Sequence, residues 1–299
     1  MKSFSNTDQL RSFMKKESDR LGISIGNAYT TYISRAFLER VSKYNNGHVL
    51  VKGSSAATAY LGRLVRGITD VDLAMMGSIE ENDDLIRYFM EEEPTSPFSF
   101  QLVRDPKVTP TGIYQMSFES TFDKTRQPLR VDLQENYNRL IEREERIMPA
   151  VFEGDLEFKV LVPSFEEFLA EKLCIILESN KTDVLNTRVK DFYDIYELHG
   201  GKYDPEKLTK YFGQMLALRG KIKLQDASTL YLDKDFISQH EDLWKIAKKK
   251  YDFLDDDIDL YGAVYYARAV LREELQKNGS IMPVVVRPKQ FVKTSKTVK

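Results

Sequence analysis

Cysteine, histidine and long apolar runs are scarce in this 299-residue chain. Its one cysteine, Cys174, cannot form an internal disulfide, so a disulfide framework is excluded and a reducing cytoplasm is expected. One cysteine and three histidines also leave few ligands for a zinc site. No stretch of 18 apolar residues predicts a membrane span, and the polar, charged N-terminus does not resemble a signal peptide.

Excess charge of either sign is also lacking, because 44 basic and 46 acidic residues give a formal net charge of −2. Any binding of nucleic acid must therefore use local patches, such as the basic tail at residues 287–299. The composition, 42% hydrophobic and 30% charged, is typical of a globular protein with room for two domains. We predict an α/β domain at 1–161 and a helical lobe at 162–299.

The first domain is predicted to combine N-terminal helices with a mixed sheet. Apolar residues at four-residue spacing predict helices within 7–44, capped at Thr7 or Asp8 and interrupted at 22–25. The charge-dense segment 138–160 predicts a linker or a helix ahead of a short strand. Alternating polar and apolar residues predict antiparallel strands at 98–103, 112–118 and 128–133.

The most informative stretch is residues 48–75, which predicts a strand, a turn, a helix and a second strand. Gly53, Ser54 and Ser55 form the turn, and the helix is expected to start near Ala56. A turn that opens a helix presents backbone N–H groups and the positive end of the helix dipole, which together suit phosphate. The alternative is an ordinary helix cap.

Two aspartates lie in the second strand of this unit. Asp70 and Asp72 share one face because residues two apart in a strand point the same way, while Val71 and Leu73 face the core. Paired carboxylates commonly hold a hard cation such as Mg²⁺, and the alternative is a solvated strand edge. A phosphate-binding turn followed by such a pair indicates a nucleotidyl-transfer site.

A third carboxylate is expected from the strand at 129–134, where Asp132 falls on the polar face. If this strand neighbours the one that carries Asp70 and Asp72, three carboxylates converge, about the number that two-metal chemistry requires. The alternative is that Asp132 only pairs with Arg130 or Arg126.

The helical lobe is predicted to contribute Lys172. Its helix begins after Ser164, with Glu167 completing a capping box. Lys172 falls in the middle of the apolar face and Glu171 falls off it. A lysine in that position needs water or an anion for its ammonium, so we expect either a phosphate ligand or a side chain that reaches solvent.

The next helix, which is expected to begin after Thr187, directs a second charge pair inward. Arg188 and Asp191 lie within its inward arc, and Asp194 lies at the edge. Arg188 could hold a triphosphate with two hydrogen bonds. Asp191 could orient Lys172 or Arg188, or act as a general base.

These motifs resemble known families. Gly53-Ser54 followed by Asp70-Val71-Asp72 resembles the polymerase-β-type nucleotidyltransferase superfamily, which places its third carboxylate on a strand like that of Asp132. The runs 168–173 and 188–196 resemble the AbiEii/MenT family of nucleotidyltransferase toxins. One departure is Gly53-Ser54-Ser55 where many relatives carry Gly-Gly-Thr or Gly-Gly-Ser, which leaves the base preference open.

The resemblance implies an α/β nucleotidyltransferase sheet followed by a helical lobe. It also implies a cytoplasmic toxin of a type IV toxin–antitoxin or abortive-infection (antiviral defence) pair. The implied cofactor is Mg²⁺ or Mn²⁺, the substrate an NTP (GTP or CTP), the acceptor a tRNA 3′ end, and the partner a cognate antitoxin. The predicted catalytic residues are Asp70, Asp72, Lys172 and Asp191; the phosphate ligands Gly53, Ser54, Ser55, Lys172 and Arg188; and the metal ligands Asp70, Asp72 and Asp132.

Other functions stay open at this point. The acceptor could be a protein or a small molecule, or the chain could bind NTP and act through partners without catalysis. A phosphohydrolase is disfavoured because the usual His-Asp clusters are lacking. A phosphate or nucleotide placed on Ser54 or Ser55 would repel an incoming triphosphate, which predicts a switch at the turn.

Overall fold

The computed structural model describes most of the chain from Lys2 to Lys277. Arg188, Thr187 and the basic tail at 287–299, all of which carried predictions, lie outside the described residues. The described residues are 2–44, 48–75, 79–92, 96–110, 112–134, 142–181, 189–198, 200–220, 234–250, Leu254 and 258–277.

Two helices open the fold, α1 (Thr7–Leu21) and α2 (Ile25–Tyr44). The predicted break is confirmed, because Gly22 ends α1 in the left-handed conformation. The predicted cap is wrong by one residue, since the side chain of Asn6 accepts the backbone N–H of Gln9.

The predicted mixed sheet is confirmed. Its strand order is β1-β2-β6-β5-β3, with β4 also paired to β5, and the β2–β6 pair is parallel while the others are antiparallel. Helix α3 (Gly53–Leu61) connects β1 to β2, and α4 (Ile79–Met90) lies between β2 and β3 in the chain. The strands are β1 (Val49–Val51), β2 (Val71–Met75), β3 (Ser99–Leu102), β4 (Lys107–Val108), β5 (Ile113–Phe122) and β6 (Thr125–Gln134).

The register between β2 and β6 positions the polar face of the sheet. Asp72 lies opposite Asp132, so the expected neighbourhood of the two strands is confirmed. Val71 and Val131 lie opposite each other one residue earlier and are fully buried. The alternation that buries the valines thus turns both aspartates to the other face.

A second, two-stranded sheet corrects the expectation for 138–160. From Arg143 to Met148 the chain forms β7, which pairs antiparallel with β8 (Phe158–Pro163). The linker or helix expected there is wrong for this part because pairing with β8 satisfies the backbone, while the long charged side chains of β7 stay mostly exposed. Leu161 of β8 packs against Leu50 and Ala74 of the main sheet.

Helices α5 to α9 make up the rest of the described chain. Ser164 caps α5 as predicted, because its Oγ accepts the Glu167 backbone N–H at 3.4 Å. The reciprocal half of the predicted capping box is wrong, because the Ser164 backbone N–H donates to the Glu142 carbonyl at 2.9 Å instead of to the Glu167 side chain. The division of the chain at 161/162 stays a prediction. No helix among the described residues is long and apolar enough to cross a membrane. The bounds are α5 (Phe165–Lys181), α6 (Val189–Leu198), α7 (Pro205–Arg219), α8 (Lys234–Lys250) and α9 (Leu260–Lys277).

Candidate active site

A cavity of about 230 Å³ lies between the polar face of the sheet and helices α5 and α6. The sheet contributes acidic and amide groups, and the helices contribute both signs of charge. Its apolar walls come from Leu73, Ile113, Phe168 and Ile175. The polar side chains that line it belong to Lys52, Asp72, Asp132, Gln134, Glu171, Lys172 and Asp191.

The turn at Gly53 forms one edge of the cavity and is fitted tightly to Asp72. Helix α3 starts at Gly53 itself, three residues before the expected start near Ala56. Gly53 has φ +58°, and a Cβ placed on it would lie 1.9 Å from Asp72 Oδ2. Only glycine therefore combines this backbone conformation with so close an approach of the carboxylate. The backbone of Lys52 fixes the same corner, because its N–H donates to the Asp72 carbonyl at 2.8 Å.

The aspartates crowd negative charge at this corner. Burial of the Asp72 carboxyl and the nearby charge of Asp70 raise the pKa of Asp72 to about 7, with a smaller contribution from Asp132. The expected place of Asp70 within the strand is wrong, because β2 begins at Val71 and Asp70 lies in the bend just before it. Asp70 is half-buried and accepts the Thr69 hydroxyl at 3.1 Å. Oxygen ligands that repel one another suit a divalent cation, so this donor set fits Mg²⁺ or Mn²⁺.

Asp132 is tied to a neighbour on its own strand. Arg130 donates to both carboxylate oxygens, with Nε–Oδ1 at 3.0 Å and Nη2–Oδ2 at 2.7 Å. The simple pairing considered for Asp132 is thus present, although Asp132 also lines the cavity. In the described part of the chain, no group of three histidine, cysteine, aspartate or glutamate side chains is arranged to hold a metal. Asp132 would have to leave Arg130 to complete a three-carboxylate site.

Lys172 is buried in a network that joins three parts of the chain. Its ammonium donates to Asp191 Oδ1 at 3.1 Å and to Asp194 Oδ2 at 2.8 Å. Arg66, from the loop before β2, donates to both oxygens of Asp194 at 2.9 and 3.2 Å. Asp194 was expected at the margin of the inward-facing side of its helix, and this is wrong because Asp194 is fully buried. Arg66 was not recognised from the sequence, since a loop arginine has no periodicity to reveal its partner.

Charge pairing in this network outweighs the cost of burial. Although burial disfavours its charged form, Arg66 and Lys172 hold the pKa of Asp194 at about 2. Burial likewise opposes the charge of Lys172, but Asp194 and Asp191 raise its pKa above the ordinary value. Both groups are therefore ionised at neutral pH. The lysine that the sequence placed on an apolar face is directed at carboxylates beside the cavity.

A second buried lysine lies in the same cavity and was missed from the sequence. Lys52 Nζ donates to Glu171 Oε1 at 2.9 Å and to Gln134 Oε1 at 3.1 Å. Burial disfavours the charged form of Glu171, but the ammonium of Lys52 holds the pKa of Glu171 below its ordinary value. The signal available was a lysine directly before Gly53, at the end of a buried strand.

The hydroxyl groups of the turn do not line the cavity. Ser54 is 3% exposed and Ser55 is 1% exposed, and neither Oγ has a hydrogen-bond partner in the structure. A phosphate bound at this turn would therefore have to use the backbone N–H groups at the start of α3 rather than the serine hydroxyls.

The chain is similar to several solved structures, all at low sequence identity. A protein assigned as a nucleotidyltransferase in H. pylori is 15% identical with a TM-score of 0.47, over 85% of this chain and 98% of that one. JHP933 from Helicobacter pylori is 15% identical with a TM-score of 0.44, over 85% of this chain and 94% of JHP933. An antigenic nucleotidyltransferase-like protein from Paracoccidioides brasiliensis is 16% identical with a TM-score of 0.33, over 67% of this chain and 91% of that protein.

No curated protein matches the chain. The family model described as "Nucleotidyl transferase AbiEii toxin, Type IV TA system" matches residues 39–272. The match includes both β2 and β6, with their aspartates, and the helices that carry Lys172 and Asp191. The chain therefore belongs to the AbiEii family of nucleotidyltransferase toxins of type IV toxin–antitoxin systems.

Proposed function

We propose that this nucleotidyltransferase moves a nucleoside monophosphate from GTP or CTP to the 3′ hydroxyl of a tRNA, in the cytoplasm and under the control of a cognate antitoxin. The observation that supports this most directly is the cavity itself. It sets the carboxylates of Asp72 and Asp132 on the sheet against the ammonium of Lys172 on α5. Phosphoryl chemistry needs a cation-binding side and a positively charged side around one reacting phosphorus.

Asp70 and Asp72 would hold Mg²⁺ or Mn²⁺, joined by Asp132 once it separates from Arg130. The bound cation would neutralise charge on the triphosphate and help to activate the attacking oxygen. Gly53 keeps Asp72 in place by leaving room for its carboxylate.

The triphosphate would bind at the start of α3. Backbone N–H groups of Gly53, Ser54 and Ser55 are the donors there, and the helix dipole favours the anion. Arg188, which precedes α6, would add a guanidinium. The enclosed volume of about 230 Å³ is below the ~300–1,000 Å³ of typical small-molecule pockets, so we place the phosphates inside and the base and ribose toward solvent.

In the reaction, the acceptor hydroxyl oxygen forms a bond to the α-phosphorus while the bond from that phosphorus to the bridging oxygen breaks. Pyrophosphate leaves in line, and Asp191, which lines the cavity, accepts the proton of the hydroxyl. Lys172 stabilises the negative charge that builds on the phosphate oxygens. Arg66 and Asp194 act through Lys172 by fixing its ammonium.

The test is transfer of label from each α-³²P-labelled NTP to total tRNA with Mg²⁺. We compare the wild-type protein with Asp72→Asn, and use Asp242→Asn as the matched control because that side chain is 91% exposed on α8. We expect label in RNA for the wild-type protein and for Asp242→Asn, and loss of label for Asp72→Asn. Equal labelling of RNA by Asp72→Asn would rule out the role proposed for the Asp72 carboxylate in holding the metal. Label found in protein or in small molecules instead of RNA would show that the acceptor is not tRNA.

A second candidate is an NTP-binding protein that acts through partners without catalysis. The pairing of Asp132 with Arg130 favours it, because the third carboxylate is then held away from a metal. This candidate requires that toxicity survive Asp72→Asn in cells, whereas nucleotidyl transfer requires that toxicity be lost.

Control at Ser54 or Ser55 stays part of the proposal. Because both hydroxyls are buried, a modifying enzyme would need the start of α3 to open. Ser54→Asp should abolish transfer through charge, while Ser54→Asn, of similar size, should retain more of it. Full activity of Ser54→Asp would eliminate this mode of control.

A further inference from the structure

Lys52 is a buried cation that the proposed reaction does not yet use. It is 7% exposed, lies between β1 and α3, and belongs to the lining of the active-site cavity. Burying an ammonium is costly unless it is paired, and here the partners are the carboxylate of Glu171 and the amide of Gln134. Both partners also line the cavity, so the cluster forms part of its wall.

The two lysines of the cavity are held differently. Lys172 contacts two carboxylates, those of Asp191 and Asp194, and Asp194 is fully buried. In the described part of the chain, Lys52 forms an ion pair with Glu171, whose side chain keeps 18% of its surface exposed. Glu171 can therefore turn toward water when an anion replaces it. Asp194 is fully buried, so its charge would stay away from water if it lost its contact with Lys172.

We propose that Lys52 is a ligand for the phosphate oxygens of the nucleotide, and that Glu171 holds its ammonium in place until the nucleotide binds. An ammonium that contacts a carboxylate oxygen at 2.9 Å can exchange that acceptor for a phosphate oxygen with little movement. Its neighbour Gly53 begins the helix at which the phosphates are placed, so Lys52 and the backbone N–H groups would bind one group from two sides. This assignment rests on the proposed function for the identity of the ligand as an NTP.

A structural ion pair is the competing explanation, and three variants separate the two. Lys52→Met removes the cation. Glu171→Gln keeps the lysine but removes the carboxylate charge that holds its ammonium. The double variant Lys52→Met with Glu171→Met removes both charges together, which often leaves a buried pair site stable. Lys159→Met is the matched control, because Lys159 pairs with Glu145 at 2.7 Å on the protein surface.

Calorimetry would measure binding of inorganic pyrophosphate and of each NTP with Mg²⁺, and urea unfolding would measure stability. We expect Lys52→Met and the double variant to bind both ligands about tenfold to a hundredfold more weakly, as for a lost hydrogen bond to a charged group. Glu171→Gln should bind them as tightly as the wild-type protein or more tightly. Lys159→Met should bind unchanged.

Two results would overturn the assignment. One is a folded double variant that binds pyrophosphate as the wild-type protein does. The other is weakening by Glu171→Gln as large as that by Lys52→Met, which would mean that the pair acts only as a unit of structure. The Glu171→Gln comparison stands even if the double variant does not fold. Pyrophosphate binding without any transfer by the wild-type protein would refute the proposed function alone and leave Lys52 as a phosphate ligand.

Discussion

Substituting Gly53 by alanine probes its close contact with Asp72, on which the proposed metal site depends. A Cβ at this position would lie 1.9 Å from Asp72 Oδ2 and 2.8 Å from Asp72 Cγ. Real Cβ atoms do not approach other atoms so closely, so the carboxylate must move. Gly53→Ala therefore combines two perturbations: a non-glycine residue at φ +58° and a displaced Asp72.

The far end of the same helix offers a control for the backbone part. Gly62 has φ +63°, and a Cβ there would meet nothing within 4 Å. A non-glycine residue in the left-handed region costs about 1–2 kcal/mol, which is the whole effect expected of Gly62→Ala on the free energy of unfolding. For Gly53→Ala we add about 0.5–1.5 kcal/mol for forcing Asp72 off its rotamer.

Activity separates the two variants more sharply than stability does. A shift of about 1 Å in a catalytic group costs on the order of a hundredfold in rate, so Gly53→Ala should lose about that factor in nucleotidyl transfer. Gly62→Ala should keep wild-type activity once its folded fraction is accounted for. Urea unfolding and initial rates of label transfer measure both quantities. If the two variants lost equal stability and kept equal activity, the close fit between Gly53 and Asp72 would be refuted.

Three further outcomes are expected from buried titratable groups. Asp194→Asn should cost about 3–5 kcal/mol, because Arg66 and Lys172 then stay buried without their shared carboxylate. In the wild-type protein the stabilisation by Asp194 is fully present above pH 4 and is lost as pH falls toward its pKa of about 2; acid unfolding of Asp194→Asn should lack this component. Asp72→Asn should raise the melting temperature without metal, since burial and Asp70 oppose the charge, and should abolish the rise caused by Mn²⁺ in a thermal-shift assay. Cys174 should react with a thiol reagent only in urea, because it is fully buried and burial raises its pKa; fast reaction of the native protein would contradict this.

Alternation along strands carried most of what the sequence could predict. It turned Asp72 and Asp132 to one face, and the parallel register of β2 and β6 sets them opposite each other. Local capping chemistry was equally informative at Ser164, whose hydroxyl accepts the backbone N–H of Glu167. These features depend on neighbours close in sequence or on a periodicity of two, so one chain without its tertiary partners is sufficient to reveal them.

Contacts between distant segments could not be predicted in the same way. A helical wheel places Asp194 at an edge, yet Arg66 comes from 128 positions away and covers that edge. Glu171 falls off the apolar face of α5 and still pairs with Lys52 across 119 positions. A helical wheel describes one helix in isolation. Whether residues beside its apolar face are buried depends on which other elements pack against that helix.

The charge of the cavity leads to a last expectation about the order of binding. Asp72, Asp132, Glu171 and Asp191 line it, against two lysines that already contact carboxylates. A bare triphosphate would meet this excess of negative charge, so we expect weak NTP binding in EDTA and at least about tenfold tighter binding with Mg²⁺. Calorimetry with a non-hydrolysable analogue in both conditions measures the ratio. Equal affinities would show that the lysines and backbone N–H groups suffice to hold the phosphates, and that the aspartates do not oppose the nucleotide.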